Sequence, residues 1–112
     1  MLDAVDDLER RDGRGVVVVF ASDHGEMLGA HQCRQKGNVL YRENVSTPFL
    51  VRAPGMALAP GEAVGDVVSA VDVLPTILDY AGVRIPADLP GCSLKPRLDG
   101  AAPRHGRSAA LV

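Results

Sequence analysis

Asp23 and His24 stand side by side, and a carboxylate next to an imidazole can bind a divalent cation. A hard cation takes about six ligands, mostly oxygens, so two donors begin a site without completing it. Glu26, His31, Lys36 and Glu43 follow within reach along the chain, and none has a spacing that closes a coordination shell. The same pair also has a structural reading, in which Asp23 caps a turn and His24 is a surface residue. Cys33 and Cys92 have no base fixed beside them in sequence. A reactive thiol needs a depressed pKa, so both read as ordinary packed thiols. His105, within Pro103-Arg104-His105-Gly106-Arg107, reads as part of a solvated basic loop, and Glu43 as a helix or loop residue.

The elements around Asp23 and His24 say where that pair lies. Leu2, Val5 and Leu8 recur at helical spacing with charges between them, which predicts a helix over 2–12 ended by Gly13 and Gly15. Val16-Val17-Val18-Val19-Phe20 is unbroken and β-branched, the pattern of a strand buried on both faces, as in a parallel sheet. Helix, short loop and buried strand make an α/β pattern. Ser22-Asp23-His24-Gly25 therefore falls just past a strand's carboxyl end, where ligands bind in open α/β sheets.

Beyond it, 25–37 reads as a loop, 38–44 as a turn of helix, and Pro48 to Arg52 as a second strand stopped by Pro54-Gly55. All 8 prolines lie from Pro48 onward, so the second half should be short elements joined by fixed turns. Val67 to Val71 reads as a third strand. Asp72 as N-cap, Pro75 in the first turn and Gly82 at the end predict a helix over 73–81, with Leu74, Ile77, Leu78 and Ala81 as its apolar face. A short segment follows at Leu94 to Leu98, and Ser108 to Val112 reads as a strand cut short.

Composition removes several classes of function. The 112 residues carry 12 Lys+Arg against 14 Asp+Glu, a net charge of −2, so no basic excess exists to drive nucleic-acid binding. Apolar residues make up 46% and argue against disorder; aromatics are only 4%, so Val, Leu and Ala must build the core. The longest apolar run, Val16 to Ala21, is far short of the roughly 20 residues of a membrane-spanning helix. The acidic start, Met1 to Asp7, lacks the basic head and apolar middle of a signal peptide. The 2 cysteines make no disulfide framework. A reducing, cytoplasmic setting is then the default expectation.

Val16 to Gly25, VVVVFASDHG, continued by Glu26-Met27-Leu28-Gly29-Ala30-His31, resembles the sulfatase family of the alkaline-phosphatase-like superfamily, with the phosphonate monoester hydrolases close by. The resemblance continues through Lys36 to Glu43, KGNVLYRE, and Val45 to Gly55, VSTPFLVRAPG. It resumes at Ser69 to Val83, SAVDVLPTILDYAGV, and ends at Gly91 to Leu98, GCSLKPRL. Each signature alone is weak, but all of them in the family's order are a strong signal. The implied fold is part of an alkaline-phosphatase-like mixed sheet sandwiched by helices, incomplete in this chain, with 1–112 as a partial catalytic domain.

The resemblance also implies roles. Asp23 and His24 match the family's second pair of metal ligands, for calcium first, with manganese, magnesium or zinc as alternatives. Lys36 matches the lysine that contacts sulfate or phosphonate oxygens, where a cation stabilises charge that builds in the transition state. His31 lies where many members read Gly-Asp-His; Ala30 replaces that Asp, which weakens any catalytic role for His31.

The family's nucleophile is a formylglycine made within Cys/Ser-x-Pro-x-Arg. Neither Cys33-Arg34-Gln35-Lys36-Gly37 nor Cys92-Ser93-Leu94-Lys95-Pro96 fits that motif. Asp6-Asp7 lies in a charged helical context, unlike the strand that holds the family's first metal-binding aspartates. The expectation is a fragment of a hydrolase for small sulfate, phosphonate or phosphate esters, inactive alone and completed by a missing N-terminal part. A non-catalytic remnant or interaction module is the alternative.

Overall fold

The computed structural model describes residues 2–101 and 108–110. Helix α1 spans Leu2–Asp12 and ends at Gly13, whose φ of 66° and amide bond to the Glu9 carbonyl (2.9 Å) close its last turn. Charge ties α1 to the strands that follow. Glu9 accepts a hydrogen bond from the Val16 amide at 2.8 Å, and Arg52 reaches Glu9 at 2.7 Å and Asp6 at 2.6 Å.

Strand β1 (Val18–Ala21) pairs antiparallel with β2 (Phe49–Arg52), placing Val18 opposite Arg52 and Phe20 opposite Leu50. This corrects two expectations. The strand begins at Val18, opposite Arg52; beyond that pair the Ala53 amide goes to Met56 Sδ and the Val16 amide to Glu9. It is also half-covered and paired antiparallel: Phe20 is 53% and Leu50 63% exposed. Among the described residues only β2 pairs with it, and no second layer covers that face.

Between the strands lie a 3₁₀ turn at Ala30–Gln32 and the short helix α2 (Arg42–Val45), which sits at the end of the segment expected to form a helical turn. After β2, Val67 to Val71 is not a strand. Ser69 and Asp72 instead form a capping box around a 3₁₀ turn at Ala70–Asp72. Helix α3 follows at Val73–Tyr80, with Gly82 in the left-handed region just beyond.

The buried residues of α3 are Pro75 and Thr76; Leu74 and Ile77, expected to face the core, are exposed. The reason is polar. Thr76 Oγ1 donates to the Asp72 carbonyl (2.6 Å) and accepts from the Leu94 amide (2.9 Å), and Asp72 Oδ1 accepts from the Cys92 amide (3.0 Å). The 92–94 segment thus lies along the Asp72–Thr76 side of the helix. Asp72 does not cap α3 with its side chain; its carboxylate serves Ser69 and Cys92 instead. Helix α4 (Lys95–Leu98) is held through Tyr80, which donates to Asp99 at 3.1 Å, and through Ser93, which donates to Asp79.

Ser108 to Ala110 form no strand, and the rest of that expected element, like His105, lies outside the described residues. No helix among the described residues is long and apolar enough to cross a membrane.

Candidate functional site

β1 delivers its last residue, Ala21, to a tight turn. Ser22 Oγ donates to the His24 carbonyl at 2.8 Å, and Asp23 Oδ1 accepts from the His24 amide at 3.0 Å. His24 Nδ1 lies 2.7 Å from the Gly25 carbonyl oxygen, which can only accept. The proton is therefore assigned to Nδ1, and Nε2 keeps its lone pair. Lys36 Nζ, 12 residues further on, donates to Nε2 at 2.5 Å, and Asp23 Oδ2 is 3.5 Å from the same nitrogen. A carboxylate, an imidazole lone pair and an ammonium thus meet at one point. The Asp23 side chain is 85% exposed and open to a ligand.

The turn leans on α2. Gly25 donates its amide to the Asn44 carbonyl at 2.8 Å, and a Cβ at Gly25 would lie 1.9 Å from the Glu43 carbonyl oxygen. Only glycine fits there. The Asn44 side chain donates to the carbonyls of Gly37 (2.9 Å) and Val39 (2.8 Å), and so holds the segment that carries Lys36. Asn44 Oδ1 is buried without a hydrogen-bond partner.

The loop between His24 and Lys36 is strained. Leu28, His31 and Gln32 all have positive φ, at 46°, 52° and 63°. It is anchored by Met27, which is buried. His31 stacks on Tyr41, with ring centroids 3.8 Å apart, and lies 3.5 Å from Glu43. The structure thus brings Asp23, His24 and Lys36 together and engages His31 with the neighbourhood of α2. Cys33 is half-buried, and Cys92 is exposed with its thiol 3.7 Å from Asp72 Oδ1.

An open cleft of about 770 Å³ runs from Asp23 and His24 past Ser46 and Thr47 to the turn at Ser69. Asp23 and His24 offer an oxygen and a nitrogen donor, which suit a divalent cation. Among the described residues no group of three or more His, Cys, Asp or Glu is gathered for a metal, so the pair fits as part of a shell. Sequence reasoning did not find Asn44, because an isolated amide carries no pattern. The Ser69-x-x-Asp72 spacing was a visible capping signal that the valines around it obscured.

The chain is 32% identical over 110 residues to an ulvan-active sulfatase of Formosa agariphila, covering 94% of this chain and 22% of that protein. It is 39% identical over 88 residues to arylsulfatase K of Xenopus laevis, covering 79% of this chain and 16% of that one. Among solved structures, the phosphonate monoester hydrolase of Silicibacter pomeroyi superposes with a TM-score of 0.73 at 36% identity, over 95% of this chain and 20% of that chain. The chain thus spans about a fifth of the length of the proteins it matches. These likenesses bear out the expected fold class, an α/β portion of an alkaline-phosphatase-like domain. The sulfatase family model matches residues 3–83, running from α1 through α3 and taking in β1, the strained loop and α2 on the way, and on that match the chain belongs to the sulfatase family.

Proposed function

We propose that residues 1–112 are part of the catalytic domain of a sulfate ester hydrolase. In this reading Asp23 and His24 supply two ligands to a divalent cation, calcium first, and Lys36 binds oxygens of the sulfate. The formylglycine nucleophile would come from a segment outside this chain. The observation that carries the reading is Lys36 Nζ at 2.5 Å from His24 Nε2, with Asp23 beside it at the mouth of a cleft.

His24 is oriented for ligation by its Nδ1–H bond to the Gly25 carbonyl, which leaves Nε2 as the donor atom. Nε2 has one lone pair. Lys36 cannot keep that acceptor once a cation takes it, and its ammonium is then free to donate to the oxygens of a bound ester. There it opposes the negative charge that grows as the ester bond breaks. Asp23 and His24 would hold the cation, which would supply polarisation of an oxygen of the same group.

Testing needs the complete enzyme. His24→Ala should lower its metal content, and Lys36→Ala should reduce kcat/KM for an aryl sulfate by about 10²–10³ with metal content unchanged. Full metal occupancy in the first variant and full activity in the second would sink the assignment. A second reading, hydrolysis of phosphonate or phosphate esters, is favoured by the likeness to the phosphonate monoester hydrolase over 95% of this chain. The ratio of kcat/KM for aryl sulfate and aryl phosphonate monoesters decides between them.

A further inference from the structure

We propose that Asn44 is a positioning residue that holds Lys36 against His24 by clamping the two segments that carry them. The inference rests on the reading of His24 and Lys36 as site residues. Neither partner is placed by a regular element. His24 follows the end of β1, and Lys36 closes a loop with three non-glycine residues at positive φ, so their meeting needs an external brace.

Asn44 supplies that brace from one position on α2. Its main-chain carbonyl takes the Gly25 amide at 2.8 Å, and the Gly25 carbonyl in turn takes His24 Nδ1–H at 2.7 Å. Its carboxamide nitrogen spends both protons on the Lys36 side, at the carbonyls of Gly37 and Val39. The two arms differ chemically. The arm to His24 is main chain and survives a change of side chain; the arm to Lys36 is side chain and does not. Substitution of Asn44 should therefore release Lys36 while leaving the His24 tautomer in place.

The test is the ¹⁵N resonances of the His24 ring in the complete enzyme, metal-free and chelator-treated, read in wild type, Lys36→Ala and Asn44→Ala. The expected result is that Asn44→Ala moves Nε2 to the position it takes in Lys36→Ala, while Nδ1 keeps its proton. If Lys36→Ala moves Nε2 and Asn44→Ala does not, Asn44 positions nothing and the site reading stands. Should Lys36→Ala leave Nε2 unmoved, the His24–Lys36 contact itself is wrong and both readings fall. A uniform change in both ring nitrogens in Asn44→Ala would mean general loss of structure and would also overturn the proposal. Where Asn44→Ala does not fold, Asn44→Asp keeps the volume, removes both donors and should give the same selective shift. In wild type the Asn44 carboxamide protons should exchange with solvent about tenfold more slowly than those of exposed amides. Exchange at the exposed rate would deny the clamp.

Discussion

His24 has one ring nitrogen hydrogen-bonded to the carbonyl of the next residue and the other accepting from Lys36, 12 residues further on. The pair Asp23–His24 was legible in the sequence because it directly follows an unbroken apolar run, and a strand end is where α/β sheets do chemistry. Its direct contact with Lys36 was not legible; the resemblance implied only that the three residues belong to one site. The contact depends on a loop whose left-handed residues, Leu28, His31 and Gln32, show no glycine to announce them. Asp72 is a second case. It reads as an ordinary helix cap, yet it is 1% exposed and its two carboxylate oxygens hold Ser69 and Cys92. Asp72→Ala removes the acceptor from both amides and should weaken this corner by about 2 kcal/mol. Exchange of the Ser69 and Cys92 amides should then quicken by roughly thirtyfold, and unchanged exchange would show the carboxylate to be dispensable.

Helices α1 and α3 are placed as periodicity and breakers predict, because Gly13 and Gly82 stop them by backbone geometry that does not depend on the rest of the fold. Pairing direction and the buried side of α3 were not legible, since both are decided by distant partners: Leu50 for Phe20, and Leu94 for Thr76. The joint between α3 and α4 carries a pH dependence. Burial, and then the bond to Asp99, push the Tyr80 hydroxyl well above its ordinary pKa of 10.0. The neutral hydroxyl is the form the fold favours. Its contribution is complete below pH 10 and is lost as pH rises beyond that toward the folded-state value. Alkaline denaturation at constant temperature should show this loss, and Tyr80→Phe should flatten the curve above pH 10. An unchanged slope in that variant would place the pH dependence elsewhere.

The whole chain exposes 8386 Å², where a compact monomer of its mass exposes about 5,900 Å². Its radius of gyration is 16.2 Å, against about 13 Å for a compact domain of this length. Only Met27, Pro75 and Leu98 are buried apolar side chains among the described residues. A surface this large leaves Phe20, Leu50, Leu74 and Ile77 facing water, and such exposed faces associate. The 112-residue chain made alone should sediment as larger species at micromolar concentration and should turn over no aryl sulfate. A monodisperse, cooperatively unfolding monomer would show that these residues form a self-sufficient module.

Met27 gives the molecule a chemical memory. This residue of the loop that separates His24 from Lys36 is 2% exposed, whereas Met56 is only half-buried. Peroxide can reach the first sulfur only while that loop is lifted, so sulfoxide accumulating at Met27 counts the openings. Once formed, the polar sulfoxide no longer suits the apolar seat, and the loop would be slower to return. Oxidation would therefore reach Met27 last, after the exposed Cys92 and the half-buried Cys33 and Met56.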